Sequence, residues 1–225
     1  MNEAKNNSIL SALPQLEYKR ISDCFEPVEL SKGQIITKSH QNVESLYFLT
    51  EGLVSLISVM RDGSTTEIGL IGKEGIVGIP QFLGNGVSHS SSLVQIEGSA
   101  MQIEAHLLKE EFERGELLAK LLLQYYLKLF NQVSQIAACN NHHTVKQRIA
   151  RWLLMLDDRL DKETLAMSQQ LLSQMLGVRR TGVSQIASEI KQLGVIDYYR
   201  GQITILDRPA LEAIACECYQ IINEQ

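Results

Sequence analysis

The chain has 225 residues, 44% of them hydrophobic and 21% charged, with a formal net charge of −5. That balance is ordinary for a globular protein of one large or two modest domains, and no apolar run approaches the ~18 uncharged residues of a membrane span. The segment Met1–Ser8 lacks the apolar core of a signal peptide, and Cys24, Cys139, Cys216 and Cys218 form no disulfide framework, so a cytoplasmic protein without membrane contact is expected.

Residues 1–140 carry 11 Lys/Arg against 16 Asp/Glu, or 11 − 16 = −5, whereas residues 141–225 carry 10 of each. Neither part is strongly basic, so any nucleic-acid contact has to come from a local patch.

From Phe25 to Glu104, short β-prone runs (34–37, 45–49, 53–59 and 93–96) alternate with turn signals at Lys32-Gly33, Glu51-Gly52, Arg61-Asp-Gly63 and Gly84-Asn-Gly86. Regular spacing with Asp-Gly and Asn-Gly punctuation predicts an antiparallel β-roll over residues 1–106. The character changes at Leu107. From there to Asn140 only Gly115 interrupts a helical pattern, and Leu118, Leu122, Tyr125, Leu129, Val133 and Ile136 recur at three- and four-residue steps. A stretch of that length exceeds what a small domain needs, which favours a seam between two copies over packing on the chain's own β domain.

The stripe breaks at Cys139-Asn-Asn-His-His143, where a domain boundary is placed. A helix over Thr144–Asp157 follows, with Val145, Ile149, Trp152, Leu153 and Leu156 on one face. After the loop 157–165, Leu172 and Leu176 lie four apart, Gly177 permits a sharp turn, and Val178, Val183 and Ile186 are spaced to close a small core. This is a helix-turn-helix pattern, with Ser168 as the N-cap of its first segment. The residues 194–206 read as strand, an Arg200-Gly201 turn, and strand, making residues 141–225 a winged helix and the whole chain α+β.

With the apolar positions committed to packing, Arg179, Arg180, Thr181, Ser184, Gln185 and Ser188 remain outward on a helix over 178–191. Arginine makes bidentate hydrogen bonds to guanine and glutamine to adenine, while hydroxyls and helix N-termini suit phosphates. Double-stranded DNA is the expected partner, with Ser168, Gln169 and wing residue Arg200 also at the interface. An exposed amphipathic hairpin that binds protein, on a β-roll regulatory or scaffold subunit, is the rival reading. No nucleophile elbow, phosphate loop or zinc-protease motif supports an enzyme. Cys139, Cys216, Cys218 and His142 or His143 are metal ligands by type, but no Cys-x-x-Cys or His-x₃-His spacing pins a site, and structural thiols are favoured over a metal or redox role.

The segments Gly33–Ile36, Tyr47–Gly52, Gly72–Gly78 and Gln147–Leu154, with the recognition segment, make the chain similar to the Crp/Fnr family of bacterial transcription regulators from about residue 10 to 215. The resemblance implies a cyclic-nucleotide-binding-like roll, a dimer joined through the long helix, a pseudo-palindromic DNA site and contact with RNA polymerase. It makes Arg180, Thr181 and Gln185 the base readers. Gln185 stands where many relatives carry arginine. It also places an effector pocket at Gly75, Gly78, Ile79, His89, Ser90 and Ser91. Family members that bind cyclic nucleotides follow a Gly-Glu pair with Arg-Ser or Arg-Thr. Here Ile79 follows Gly78, and no arginine occurs between Lys73 and Lys109, so an anionic phosphate lacks its counter-charge. Ordinary cyclic-AMP binding is not expected, nor any haem, iron–sulfur or other cofactor.

Overall fold

The computed structural model describes residues 3–84, 86–160 and 164–224. Asn85 of the Gly84–Gly86 turn and residues 161–163 of the loop after Asp157 lie outside the described residues. The chain divides into two compact units, one of residues 1–58 and 69–130, the other of residues 59–68 and 131–225.

The first unit opens with α1 (Ser8–Ser11) and α2 (Gln15–Ser22). Strands follow in the order β1 (Glu26–Leu30), β2 (Ile35–Thr37), β3 (Ser45–Leu49), β4 (Leu53–Val59), β5 (Thr65–Ile71) and β6 (Ile76–Val77), then α3 (Ile79–Leu83), β7 (Ser91–Ile96) and β8 (Gly98–Glu104). They form two four-stranded sheets, ordered β1-β8-β3-β6 and β2-β7-β4-β5. β8 pairs antiparallel with β1 and β3, and β7 with β2 and β4, as the alternating runs and glycine turns predict. Leu46, Phe48, Leu53, Leu70, Ile76 and Ile103 fill the interior at 1% exposure or less.

The predicted continuous helix is two helices, α4 (Ala105–Glu113) and α5 (Leu117–His142). Gly115, at φ 71, turns the chain between them, a left-handed conformation that glycine adopts without a Cβ clash. α5 carries the last part of the first unit and, from Asn131, enters the second.

The second unit contains the tip of the β4–β5 hairpin, the end of α5, α6 (Val145–Asp157), β9 (Thr164–Ala166), α7 (Gln169–Leu176), α8 (Arg180–Gln192), β10 (Ile196–Tyr199), β11 (Gln202–Ile205), α9 (Arg208–Ile214) and α10 (Cys218–Asn223). Thr144 caps α6 through a capping box with Gln147. The wing is three-stranded, in the order β10-β11-β9. Its core holds Ile149, Trp152, Leu172, Val183, Ile190 and Leu211. The small recognition core keeps Val183 as expected but is completed by Ala187 and Ile190, because Ile186, one residue or about 100° around the helix from Ala187, and Val178 are only half-buried. No helix among the described residues is long and apolar enough to cross a membrane.

Candidate DNA-binding interface

α7 starts at Ser168, whose hydroxyl accepts a hydrogen bond from Leu171 N at 3.1 Å. It ends at Gly177, which takes the left-handed conformation (φ 62, ψ 37) and turns the chain into α8. A Cβ on Gly177 would lie 2.7 Å from Thr66 Oγ1, so close approach as well as backbone angle requires glycine here. Arg148 donates to the carbonyl of Leu176 and so satisfies one free acceptor at the end of α7.

α8 begins after Arg179, whose side chain does not cap it, so no side chain occupies the first-turn N–H groups from that position. Arg180, Thr181, Gln185 and Ser188 are exposed and Ser184 half-buried, on one face whose opposite side carries Val183, Ala187 and Ile190. The spacing i, i+1, i+4, i+5, i+8 makes that face continuous. Gln185 Nε2 rests 3.2 Å from Glu189 Oε1, a contact it must exchange to read a base.

β10 and β11 join through a two-residue turn in which Arg200 (φ 48) and Gly201 (φ 79) are both left-handed, the type I′ geometry that suits a twisted hairpin. The Arg200 guanidinium lies 5.1 Å from the ring centre of Tyr199. Lys191 ties α8 to the wing through Asp197 at 2.7 Å and the carbonyl of Tyr198 at 3.1 Å. Asp197 therefore titrates below the usual carboxylate range, chiefly through its hydrogen bond from Lys191.

Ser168, Gln169, Arg180 and Arg200 line a single cleft of about 330 Å³ with Gln170, Tyr198 and Gly201. Three separate segments thus bring positive charge and amide or hydroxyl groups to one concave surface. Gln170 was not anticipated there, although the paired glutamines opening α7 are a readable signal, and Tyr198 was expected only as part of the wing. Its hydroxyl donates to Met167 O at 2.9 Å, a contact 31 residues away that ties the wing to the start of α7. Arg179, Thr181, Ser184, Gln185 and Ser188 lie outside that lining, all exposed except the half-buried Ser184.

The other predicted positions distribute differently. Leu118, Leu122, Tyr125, Leu129 and Ile136 are buried within the single chain, at 7% exposure or less, and Val133 is half-buried, so the expected seam is a face packed on its own chain. The large apolar side chains that α5 leaves exposed are Leu123, Tyr126, Leu127 and Phe130. That line is offset from the buried one by one residue, about 100° around the helix. Of the pocket positions, Ile79 is fully buried and Gly78 lies against Val43. Gly75 sits under the Tyr125 ring, where a Cβ would meet the hydroxyl at 2.1 Å. Ser91 accepts from Ser39 N, whereas His89 is exposed with its ring 6.3 Å from that of His40. Cys139, His143, Cys216 and Cys218, which no local motif connected, come together; His142 is not among them.

Residues 27–115 match the cyclic nucleotide-binding domain, and residues 147–214 match the Crp-like helix-turn-helix domain. The chain is 23% identical to the global nitrogen regulator of Synechococcus elongatus, over 92% of this chain and 97% of that protein. It is 22% identical to the nitrogen fixation regulation protein FixK of Bradyrhizobium diazoefficiens, over 94% and 91%. The structure of FixK2 from Bradyrhizobium japonicum superimposes with a TM-score of 0.74 at 20% identity, covering 85% of this chain and 98% of that one. A CRP-family transcriptional regulator from Thermus thermophilus gives 0.69 at 18% identity, over 84% and 96%. With those two domains in that order, over a roll, a long helix and a winged helix-turn-helix, the chain belongs to the Crp/Fnr family of transcription regulators.

Proposed function

We propose that the protein works as a homodimer on double-stranded DNA and reads a pseudo-palindromic site through Arg180, Thr181, Ser184 and Gln185 of α8. Ser168, Gln169, Arg179, Ser188 and Arg200 then hold the phosphates on either side. The observation that carries this reading is the cleft in which Arg180 of α8, Arg200 of the wing and the start of α7 converge. A helix whose first-turn N–H groups no flanking side chain caps, with arginines at its start, attracts phosphate and can lay its outer face in a major groove. Two such helices related by a two-fold axis would enter grooves about 34 Å apart.

Dimerisation is supported by the family and by the exposed apolar line Leu123, Leu127 and Phe130 on α5. In functional terms the chain divides into a roll at 1–106, a connecting helical region at 107–140 and a DNA-binding domain at 141–225. The absence of any arginine between Lys73 and Lys109 supports control by something other than ordinary cyclic-AMP binding. The protein acts in the cytoplasm without a catalytic step of its own or a cofactor for one, and RNA polymerase is its partner at the promoter.

The test is selection of bound fragments from a randomised DNA library by the purified protein, followed by sequencing. A two-fold symmetric site bound with steep salt dependence is expected. Enrichment of nothing, with or without cyclic nucleotides, would overturn the reading and favour a protein-binding scaffold.

A further inference from the structure

Cys139 lies in the last turn of α5, His143 just beyond that helix, and Cys216 and Cys218 on either side of the start of α10. One ligand atom from each, three Sγ and one imidazole nitrogen, lies within 4.8 Å of every other. Cys139 Sγ is 3.5 Å from Cys216 Sγ, and Cys218 Sγ is 3.5 Å from His143 Nδ1. A tetrahedral zinc with bonds of about 2.3 Å to sulfur and about 2.0 Å to nitrogen needs edges of about 3.8 Å between sulfurs and about 3.5 Å from sulfur to nitrogen. Two of the six edges are thus close to those lengths and none of the others exceeds 4.8 Å, so small side-chain adjustments bring the four atoms onto one ion. They are too close together to surround an iron–sulfur cluster, which must fit several atoms between its ligands. From these four donors we infer that Cys139, His143, Cys216 and Cys218 form a structural zinc site.

The surroundings fit a bound cation and the charge it would leave. His143 turns Nδ1 toward Cys218 and Nε2 toward Glu217 Oε2 at 3.2 Å. A proton held on Nε2 by that carboxylate frees the Nδ1 lone pair for the metal, as ligating histidines require. Gln135 Nε2 approaches Cys218 Sγ at 3.0 Å and can donate to a metal-bound thiolate. The three cysteines are buried at 4% exposure or less, which closes the site to solvent as structural zinc sites are closed. Zinc with three thiolates and a neutral histidine carries one net negative charge. The buried guanidinium of Arg151 acts on Cys139 through its charge, as does that of Arg148. Arg148 donates to the carbonyl of Leu176 and Arg151 to Met155 Sδ, while neither Nε has a hydrogen-bond partner among the described residues, so a net negative charge nearby would offset part of their desolvation. On binding, Zn²⁺ displaces the remaining thiol protons to solvent and forms three Zn–S bonds and one Zn–N bond, with no change in oxidation state. The site would clip the turn between α5 and α6 to the C-terminal segment, and it does not depend on the DNA reading.

The test measures zinc in the full chain purified without chelator, by elemental analysis, and then replaces it with cobalt. About one zinc per chain is expected in the parent and in Cys24→Ser, whose cysteine is outside the cluster, and close to none in Cys216→Ser or Cys218→Ser. The cobalt form should show the intense visible bands of tetrahedral thiolate coordination. Should those serine variants fail to fold, His143→Ala and alkylation of the parent decide: the three thiols should resist alkylation until a chelator is added. Substoichiometric zinc with cobalt that stays octahedral, thiols that alkylate equally with and without chelator, or a Cys139–Cys216 disulfide in the purified protein would each overturn the assignment.

Discussion

Trp152 donates its indole N–H to Glu67 Oε1 across 2.7 Å, and both side chains are buried. Glu67 belongs to the tip of the β4–β5 hairpin and Trp152 to α6, both within the second unit. A hydrogen bond to a buried carboxylate contributes more than a neutral one, and loss of the donor removes one hydrogen bond from that carboxylate. Trp152→Phe should therefore destabilise the second unit by ~1–3 kcal/mol, measured by urea unfolding followed by circular dichroism. Because Trp152 is the only tryptophan, Glu67→Ala should also move its emission to longer wavelength as water replaces the carboxylate. An unchanged spectrum would place the hairpin tip away from α6.

Gly177 meets the same hairpin from the other side, and two separate costs oppose a side chain there. A left-handed alanine costs ~1–2 kcal/mol, and its Cβ would press on Thr66 Oγ1 at 2.7 Å. Gly177→Ala should lose both increments in thermal or urea unfolding, whereas the double variant with Thr66→Ala should regain the steric part and keep the backbone part. Strict additivity of the two single changes would exclude the contact.

The recognition helices were legible because their signals are local. Ser168 caps, Gly177 turns, Leu172 and Leu176 lie four apart, and Arg200-Gly201 forms a tight hairpin turn. β9 was not, since Thr164–Ala166 is three residues long and exists as a strand only by pairing with β11 some 40 positions away. α9 announced itself through an Asp207 cap and Pro209 in the first turn, signals that were present and passed over. Which face of α5 packs on its own chain was not legible for a different reason. Leu121, Leu122 and Leu123 are consecutive, so two apolar stripes one residue apart both satisfy a helical period, and only the packed chain decides between them. The cysteine–histidine cluster joins positions 77 residues apart and leaves no local pattern.

Acid stability should depend on Glu111. Arg20 donates to its carboxylate from Nε at 2.9 Å and Nη2 at 2.5 Å, and this hydrogen bonding holds its pKa below the ordinary 4.5. A folded pKa below the unfolded one gives stability that is complete above the unfolded value and is lost as pH falls through the folded one. Unfolding free energy should thus decline as pH drops below about 4.5 and continue to decline beneath it. Arg20→Ala should flatten that acid limb in part, since Arg114 still reaches Glu111 at 3.0 Å. An acid limb identical in parent and variant would remove Glu111 from the account.

The two faces of α5 should respond oppositely to mutation. Leu127 is 58% exposed and Phe130 56%, so Leu127→Glu should leave the fold intact and yield monomers by analytical ultracentrifugation. Leu122 is fully buried, and Leu122→Ala should cost ~2–5 kcal/mol of stability through the cavity it leaves. A dimer that survives Leu127→Glu together with Phe130→Glu would place the seam elsewhere.

Arg180 and Arg200 share one cleft but should fail in different ways. Arg180 is the first residue of α8, where its fork could reach a guanine edge, and Arg200 rides on the wing turn, where it would meet the phosphate backbone. Arg180→Ala should weaken the selected site by ~1–3 kcal/mol per half-site while altering nonspecific binding little, and should relax the preference at one base pair. Arg200→Ala should weaken all sequences alike and lower the slope of log affinity against log salt by about one per half-site. Fluorescence anisotropy on the selected site, on a variant of it and on unrelated DNA across a salt series separates the two. If Arg180→Ala reduces every affinity equally, its guanidinium touches phosphate, and base reading passes to Thr181, Ser184 and Gln185 further along the same face.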